Sequence, residues 1–262
     1  MKQTIDSVLA QSFTDFEVII LDNASTDDTG EVLSHYLDDR IRILRNTATI
    51  PAHENWTRVV TMAQGRWTKL LCADDLLKPE ALMQIAKDVH SHPNLMVHAG
   101  VRDVIDEVGR LVKAPRRISR DSPTLGLADL IGETLRLGTN PLGEPLCLTW
   151  RTSLTENVGP FSGYWKYFID LDYWLRLASV TPIYCTSEVI GSFRVSKESW
   201  TSSIGFAALR ESREFFLMRE DMKSQSLLRR CKALLRALIR TVSRKLFLSF
   251  VLRQSHVKEG PL

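Results

Sequence analysis

Over its first ninety residues the chain alternates short, β-rich apolar runs with stretches of helical periodicity, and twice such a run ends on carboxylates. "FEVIIL" (16–21) leads into "DNASTDDT", "IRIL" (41–44) follows, and "RWTKLLC" (66–72) leads into "ADD". Helical patterns separate them. Residues 2–10 place Ile5, Val8 and Leu9 on one face. A second helix, capped by Ser25 or Thr26 with Asp27 and Asp28 in its first turn as the helix dipole favours, runs to about Leu37. Two more are predicted over 52–64 and from Pro79 to about Val89. Alternation of this kind predicts an α/β fold with a mixed, mainly parallel sheet flanked by helices. In such sheets ligands bind at the carboxyl ends of strands. The acidic clusters "LDNAS" and "CADD" both fall at such ends, which is the first functional clue.

The middle of the chain is less regular. "LMVHAGVRDVIDEVGRLV" reads as a hairpin turning at "DEVG", "RRISRDSPT" as a loop and residues 126–137 as a helix. "GTNPLGEP" (138–145) combines helix breakers with one carboxylate, so it reads as a shaped loop. "LCLTW" is a predicted strand, 167–178 a helix with Asp170 near its start, and 187–195 a last strand. After Gly205 the composition changes, and residues 206–253 read as one or two helices. Leu227, Leu228, Leu234, Leu235, Leu238, Val242, Leu246 and Leu248 form an apolar side there, while Arg229, Arg230, Lys232, Arg236, Arg240, Arg244 and Lys245 supply charge with no acid among them. A basic amphipathic helix suits an anionic membrane surface, although packing on its own domain is the plain alternative. Two regions follow, 1–205 and a helical tail at 206–262.

Composition excludes several other classes. With 44% hydrophobic and 25% charged residues the chain can bury a core without staples. Cys72, Cys147, Cys185 and Cys231 form no CxxC pair, which argues against a zinc ribbon or a disulfide framework and for free thiols in a reducing compartment. Neither a signal peptide nor an apolar run of the ~20 residues needed to span a bilayer is seen, so the expected location is cytoplasmic, peripheral on the inner face of the cytoplasmic membrane if the tail binds there. The regular leucines favour membrane or packing over nucleic acid, which is not expected as a partner.

Three stretches in order, "SVLAQSFTDFEVIILDNASTDDT", "GRWTKLLCADDLLKPEAL" and "IDLDYWLRL", resemble the successive signatures of family-2 glycosyltransferases with the GT-A fold. "NPLGEP" and "FRVSKESW" resemble its rhamnosyltransferase-like branch, and the likeness covers roughly residues 3–203. It implies inverting transfer of a sugar from a nucleotide-diphosphate donor to an acceptor hydroxyl, the acceptor being a glycan or a lipid-linked molecule. It also implies a divalent cation, Mg²⁺ or Mn²⁺, at a "DxD" motif and a carboxylate base on a later helix. The chemistry agrees with those roles. Such ions are held by one or two carboxylates plus substrate phosphates, and an acceptor hydroxyl gains from a positioned base.

Carried over residue by residue, "CADD" stands where the family has "DxDD", with Asp74 as metal ligand, Asp75 beside it, and Cys72 replacing an aspartate. A hard cation does not select a thiol, so Cys72 is expected not to ligate. "LDNAS" stands for "VDDGS", giving Asp22 and Asn23 to the nucleotide, or to a turn and cap. "IDLDYWLRL" places Asp170 on the base and adds Asp172 as a second catalytic candidate; the alternatives are helix capping by Asp170 and an i,i+4 pair of Asp172 with Arg176. Glu144, Asn55 and Arg194 are candidate contacts to the donor, Trp200 is a candidate stacking residue, and Ser196 stands where the family often has histidine. The family's opening "VSVIIPTYN"-like strand has no counterpart, Met1 falling within the following helix. The expectation is either a shortened form of a longer protein or a chain impaired as an enzyme, a GT-A-like binding or partner protein. A sugar-phosphate nucleotidyltransferase is the weaker third reading, since no Gly-rich basic loop stands near the N-terminus.

Overall fold

The structure, a computed structural model, describes residues 1–115, 123–196 and 207–256, with the side chains of 244–256 left out. Helix α1 (Lys2–Leu9) precedes strand β1 (Val18–Asp22), α2 (Thr29–Ser34), β2 (Ile41–Arg45) and α3 (Ala52–Thr61). After these come β3 (Trp67–Thr68), β4 (Leu76–Leu77), α4 (Ala81–Ser91), the long β5 (Val97–Ile105) and its hairpin partner β6 (Leu111–Lys113). Then β7 (Thr124–Leu125), α5 (Leu127–Leu137), a single 3₁₀ turn (Pro145–Cys147), β8 (Leu148–Arg151), α6 (Leu154–Val158), α7 (Ile169–Val180) and β9 (Ile183–Arg194) complete the sheet region. The tail folds as three helices, α8 (Ala207–Met218), α9 (Glu220–Lys223) and α10 (Leu227–His256).

The two longest registers are parallel. Five residue pairs join β1 to β2 and eight join β5 to β9, while β8, β4, β6 and β7 add short antiparallel pairs around β5 and β9. The order is β3–β8–β5–β9–β4, and β1–β2 is a separate two-stranded sheet. Strand β5 is buried at eight of its nine positions, polar His98 and Asp103 among them, as a strand covered on both faces would be. The expected strand over 66–72 shrinks to Trp67–Thr68, because Lys69 turns its ammonium inward to the carbonyls of Leu146 and Leu148. Helix α2 starts later than expected: the Ser25 and Thr29 amides are taken by Asp22 and Asp27, which favours turns over a helical start. The 116–124 loop falls largely outside the described residues.

One apolar core runs from β5, β8 and α7 into the tail. Trp150, Tyr173, Trp174 and Phe161 lie fully buried at its centre, and Phe215 and Phe216 of α8 pack on Phe168 at 4.4 and 5.7 Å between ring centroids. Helix α10 crosses α5 closely through Ala233 and Ala237. Gly138, at φ 66° just past α5, is the tightest point, where a Cβ would stand 2.6 Å from the Ala233 carbonyl oxygen and 2.8 Å from the Ala237 nitrogen. That Gly138 ends α5 in the left-handed conformation is ordinary; that it also admits a helix is what couples the tail to the sheet. Gly138→Ala therefore meets both backbone strain and a clash, and is expected to cost ~2–3 kcal/mol, lowering the unfolding midpoint by about 5 °C or more in a thermal melt.

Candidate active site

The loop after β3 holds the first two carboxylates. A turn closes it, with the Asp75 amide donating to the Cys72 carbonyl at 3.2 Å. Two other elements grip it: Thr4 of α1 donates its hydroxyl to the Ala73 carbonyl at 2.7 Å, and Arg194 of β9 donates Nε to the Asp74 carbonyl at 3.0 Å. The Arg194 amide also donates to Asp75 Oδ1 at 3.1 Å, while the buried Asp75 Oδ2 has no hydrogen-bond partner. Burial raises the pKa of Asp74, and burial together with Asp74 and Glu144 raises that of Asp75 well above the usual range.

The shaped loop brings in Glu144. Asn140 organises it by accepting the Leu142 amide at 2.9 Å and donating to the Gly143 carbonyl at 2.7 Å; the same Nδ2 reaches Asp170 Oδ2 at 2.9 Å. Glu144 is clamped bidentately by Arg102 of β5, with Nη2 to Oε1 at 2.7 Å, and the guanidinium lies 5.4 Å over the Phe193 ring. Burial pushes Glu144 toward protonation, but Arg102 outweighs it and holds the pKa below normal. Lys69 fastens the following turn through its carbonyls, and burial brings its pKa down to about 8.

Asp170 is the second residue of α7. It accepts the Leu171 amide at 2.6 Å, yet burial, reinforced by Glu144, pushes its carboxyl up to about 7. Burial, then the charges of Asp75, Asp74, Asp170 and Glu144, raise the Cys72 thiol far above normal, which favours its protonated form. The entry to α7 is fixed from the tail. Glu211 of α8 accepts the amides of Lys166, Tyr167 and Phe168 at 3.0, 2.7 and 2.8 Å, immediately ahead of the helix that carries Asp170.

A second group forms at the carboxyl ends of β1 and β2. Asp22 accepts the Ser25 amide at 2.9 Å and pairs with Arg45, interactions that outweigh its burial and lower its pKa. Asn23 donates to the Ile50 carbonyl at 2.8 Å and accepts the Ile50 amide at 3.0 Å. Asn46 ties the group together, donating to Asn23 and Asn55 at 2.8 Å each and accepting from Arg58 at 2.6 Å.

The expected site residues thus separate into sets. Asp74, Asp75, Glu144 and Asp170 converge, and Asp22, Asn23 and Asn55 converge at the neighbouring strand ends. Asp172 and Arg194 are engaged elsewhere. Asp172 is buried in ion pairs with Arg176, at 2.9 Å, and with Arg219 of the tail, so the i,i+4 alternative describes it rather than catalysis. Arg194 acts as a clamp: besides Asp74 it donates to the carbonyls of Asp106 and Glu107 at 3.1 and 2.9 Å and to Gln3 at 2.6 Å. Trp200 lies outside the described residues. Arg102, Asn46, Asn140 and Glu211 were not singled out from sequence. Of these, Arg102 carries a readable signal, a lone cation inside the apolar run "VHAGVRDVI".

Among the described residues no three His, Cys, Asp or Glu side chains are grouped to hold a metal by themselves. Asp74 and the unpartnered Asp75 Oδ2 do suit a cation that takes its remaining ligands from phosphate and water.

Residues 1–170 match the family described as Glycosyl transferase family 2, and the chain belongs to that family. It is similar to an uncharacterised protein of Mycobacterium tuberculosis, 26% identical over 68% of this chain and 57% of that one. An uncharacterised glycosyltransferase of Rickettsia typhi is 24% identical over 78% of this chain and 62% of that one. The chain thus spans about three-fifths of the length of these two relatives. In fold it matches Staphylococcus aureus TarS, crystallised with UDP, at a TM-score of 0.58 and 19% identity over 92% of this chain and 67% of that one. The fold is GT-A.

The raised pKa of Asp170 has a stability consequence. Below pH 3.8 the group is protonated folded or unfolded; between there and about 7 the folded form binds the extra proton, so its contribution to stability is lost as pH rises through about 7. Asp170→Asn lacks this titration, so its stability relative to the parent is expected to rise by ~1–3 kcal/mol between pH 5 and pH 8, read from denaturant unfolding at the two pH values.

Proposed function

We propose that this chain is a metal-dependent inverting glycosyltransferase, moving a sugar from a nucleotide-diphosphate donor to an acceptor hydroxyl in glycan or surface-polysaccharide assembly. The observation that carries the reading is Asp170, a carboxylate held by Asn140 at 2.9 Å whose pKa burial and nearby Glu144 push up to about 7. A base poised there is half-ionised near neutral pH, which suits removal of an acceptor proton. Asn140 orients its Oδ2, and the Leu171 amide orients Oδ1. Asp74 and Asp75 would hold Mg²⁺ or Mn²⁺, which when bound supplies charge for the departing diphosphate. The Asn46-linked group of Asp22, Asn23 and Asn55 meets the nucleotide. Glu144, fixed by Arg102, bounds the sugar between the two groups.

A lipid-linked acceptor is the finer expectation. One relative over 28% of this chain, 33% identical, is an Escherichia coli UDP-Glc:alpha-D-GlcNAc-diphosphoundecaprenol beta-1,3-glucosyltransferase. Another, 34% identical over 31% of this chain, is a putative teichuronic acid biosynthesis glycosyltransferase of Bacillus subtilis. No described helix is long and apolar enough to cross a membrane. The proposed location, resting on the basic amphipathic tail, is the cytoplasmic face of the membrane. A second reading, a binding protein that transfers nothing, is favoured by β1–β2 standing apart from the larger sheet.

Calorimetry with UDP and UDP-sugars, with and without Mg²⁺ or Mn²⁺, tests the reading. Metal-dependent binding is expected, and its absence for all donors overturns it. Asp74→Ala removes the metal dependence. Asp170→Ala leaves donor binding within about two-fold and lowers transfer by ~10²–10⁴; retained transfer excludes Asp170 as base, and binding without transfer in the parent chain supports the second reading.

A further inference from the structure

Helix α10 is packed on the side its composition does not advertise. At ~100° per residue its described turns fall into three stripes. Ala233, Ala237 and Thr241, each four residues on, are buried against α5 and α8. On a second stripe Leu227, Leu228, Leu235, Leu238, Ile239 and Val242 are 42–64% exposed. On the third stand Arg229, Lys232, Arg236 and Arg240, and no acidic residue occurs anywhere in 227–243. A helix that merely completed its own domain would turn its leucines inward. Here small residues face in, because Gly138 admits only a close approach, and the large apolar side chains remain outside.

The cationic stripe has a division of labour. Arg236 and Arg240 donate to the carbonyls of Leu135 and Leu137, at 3.3 and 2.7 Å, and so fasten α10 to the end of α5. Arg229, which bonds Gln225 of the tail, and Lys232 stand at a cavity of about 600 Å³ between the two helices. Asp129 and Glu133 also line it, but Asp129 accepts the Gly126 amide at 3.1 Å and Glu133 is held by Arg136. Among the described residues, Arg229 and Lys232 are therefore cations available beside the apolar stripe.

We propose that the exposed stripe of α10 is a docking surface for an anionic lipid bilayer: Leu235, Leu238, Ile239 and Val242 enter the acyl boundary, and Arg229 and Lys232 meet headgroup phosphates at the α5–α10 cavity. The inference deepens the membrane placement proposed above and gives it residues. A second copy of the chain is a poorer occupant, because mating two such stripes sets two cationic rows side by side with no acid on either helix. An anionic interface supplies apolar depth and negative charge at once.

Sedimentation of the full chain with phosphatidylcholine vesicles, with or without about 30% phosphatidylglycerol, tests this. The parent chain should bind the anionic vesicles at least ~10-fold better than the neutral ones. Leu235→Ser with Ile239→Ser should lower that binding by ~10-fold or more. Arg229→Gln and Lys232→Gln should each weaken it about five-fold and flatten its salt dependence. All four positions are solvent-exposed, so unchanged circular dichroism and thermal melting serve as the folding control. Equal binding to both vesicle types, unchanged binding by the serine variant, or a dimer that the serine variant splits without any vesicle binding would each overturn the proposal. UDP-sugar binding measured without vesicles is expected to be the same in all these variants, so failure here is separable from failure of the transferase reading.

Discussion

Four carboxylates gathered at the end of a sheet repel one another, and the architecture around them is largely an answer to that repulsion. Arg102 neutralises Glu144 directly. Asp75 is held through one oxygen by a backbone amide, Asp74 by its own amide and the charges of the N-terminus and Arg194, and Asp170 is left half-way to protonation. The supports come from every layer: α1 through Thr4, β9 through Arg194, the Pro-Gly loop through Asn140, and the tail through Glu211. Desolvated charge of this kind costs several kcal/mol unless it is matched. In a glycosyltransferase the natural match is a cation with a diphosphate.

The same tension explains why Cys72 fits where the family has an aspartate. A further carboxylate at that point would stand among four others, with only the guanidiniums of Arg102 and Arg194 described against them. A protonated thiol adds no charge there, and its environment keeps it protonated. In the proposed reading, Asp74 and Asp75 would then be the carboxylates left to hold a cation.

Much of this was readable from the residues. The period-2 and period-3.6 segments of the first ninety residues give the α/β class, and the carboxylates that follow the apolar runs point to the candidate site. The i,i+4 spacing of Asp172 and Arg176 announces their ion pair. What sequence does not carry is the direction of long side chains: Arg194 reads equally well as a phosphate contact or as a clamp, and only the positions of three distant carbonyls decide. Asn46 is hidden for the same reason, being one amide among many until Asn23, Asn55 and Arg58 are seen around it. In the tail, leucines and arginines fix an amphipathic pattern, but which stripe packs inward depends on a glycine ninety-odd residues earlier.

The tail begins where composition changes, yet Glu211, Phe215 and Arg219 reach back to the helix bearing Asp170. Trimming the chain at that apparent boundary would remove the supports of the helix bearing Asp170 along with any anchor. A truncated form that lost activity would thus say nothing about where the protein works in the cell. Chimeras with related transferases should exchange the outward residues of the last helix and leave its inward alanines, and the acid that caps α7, in place.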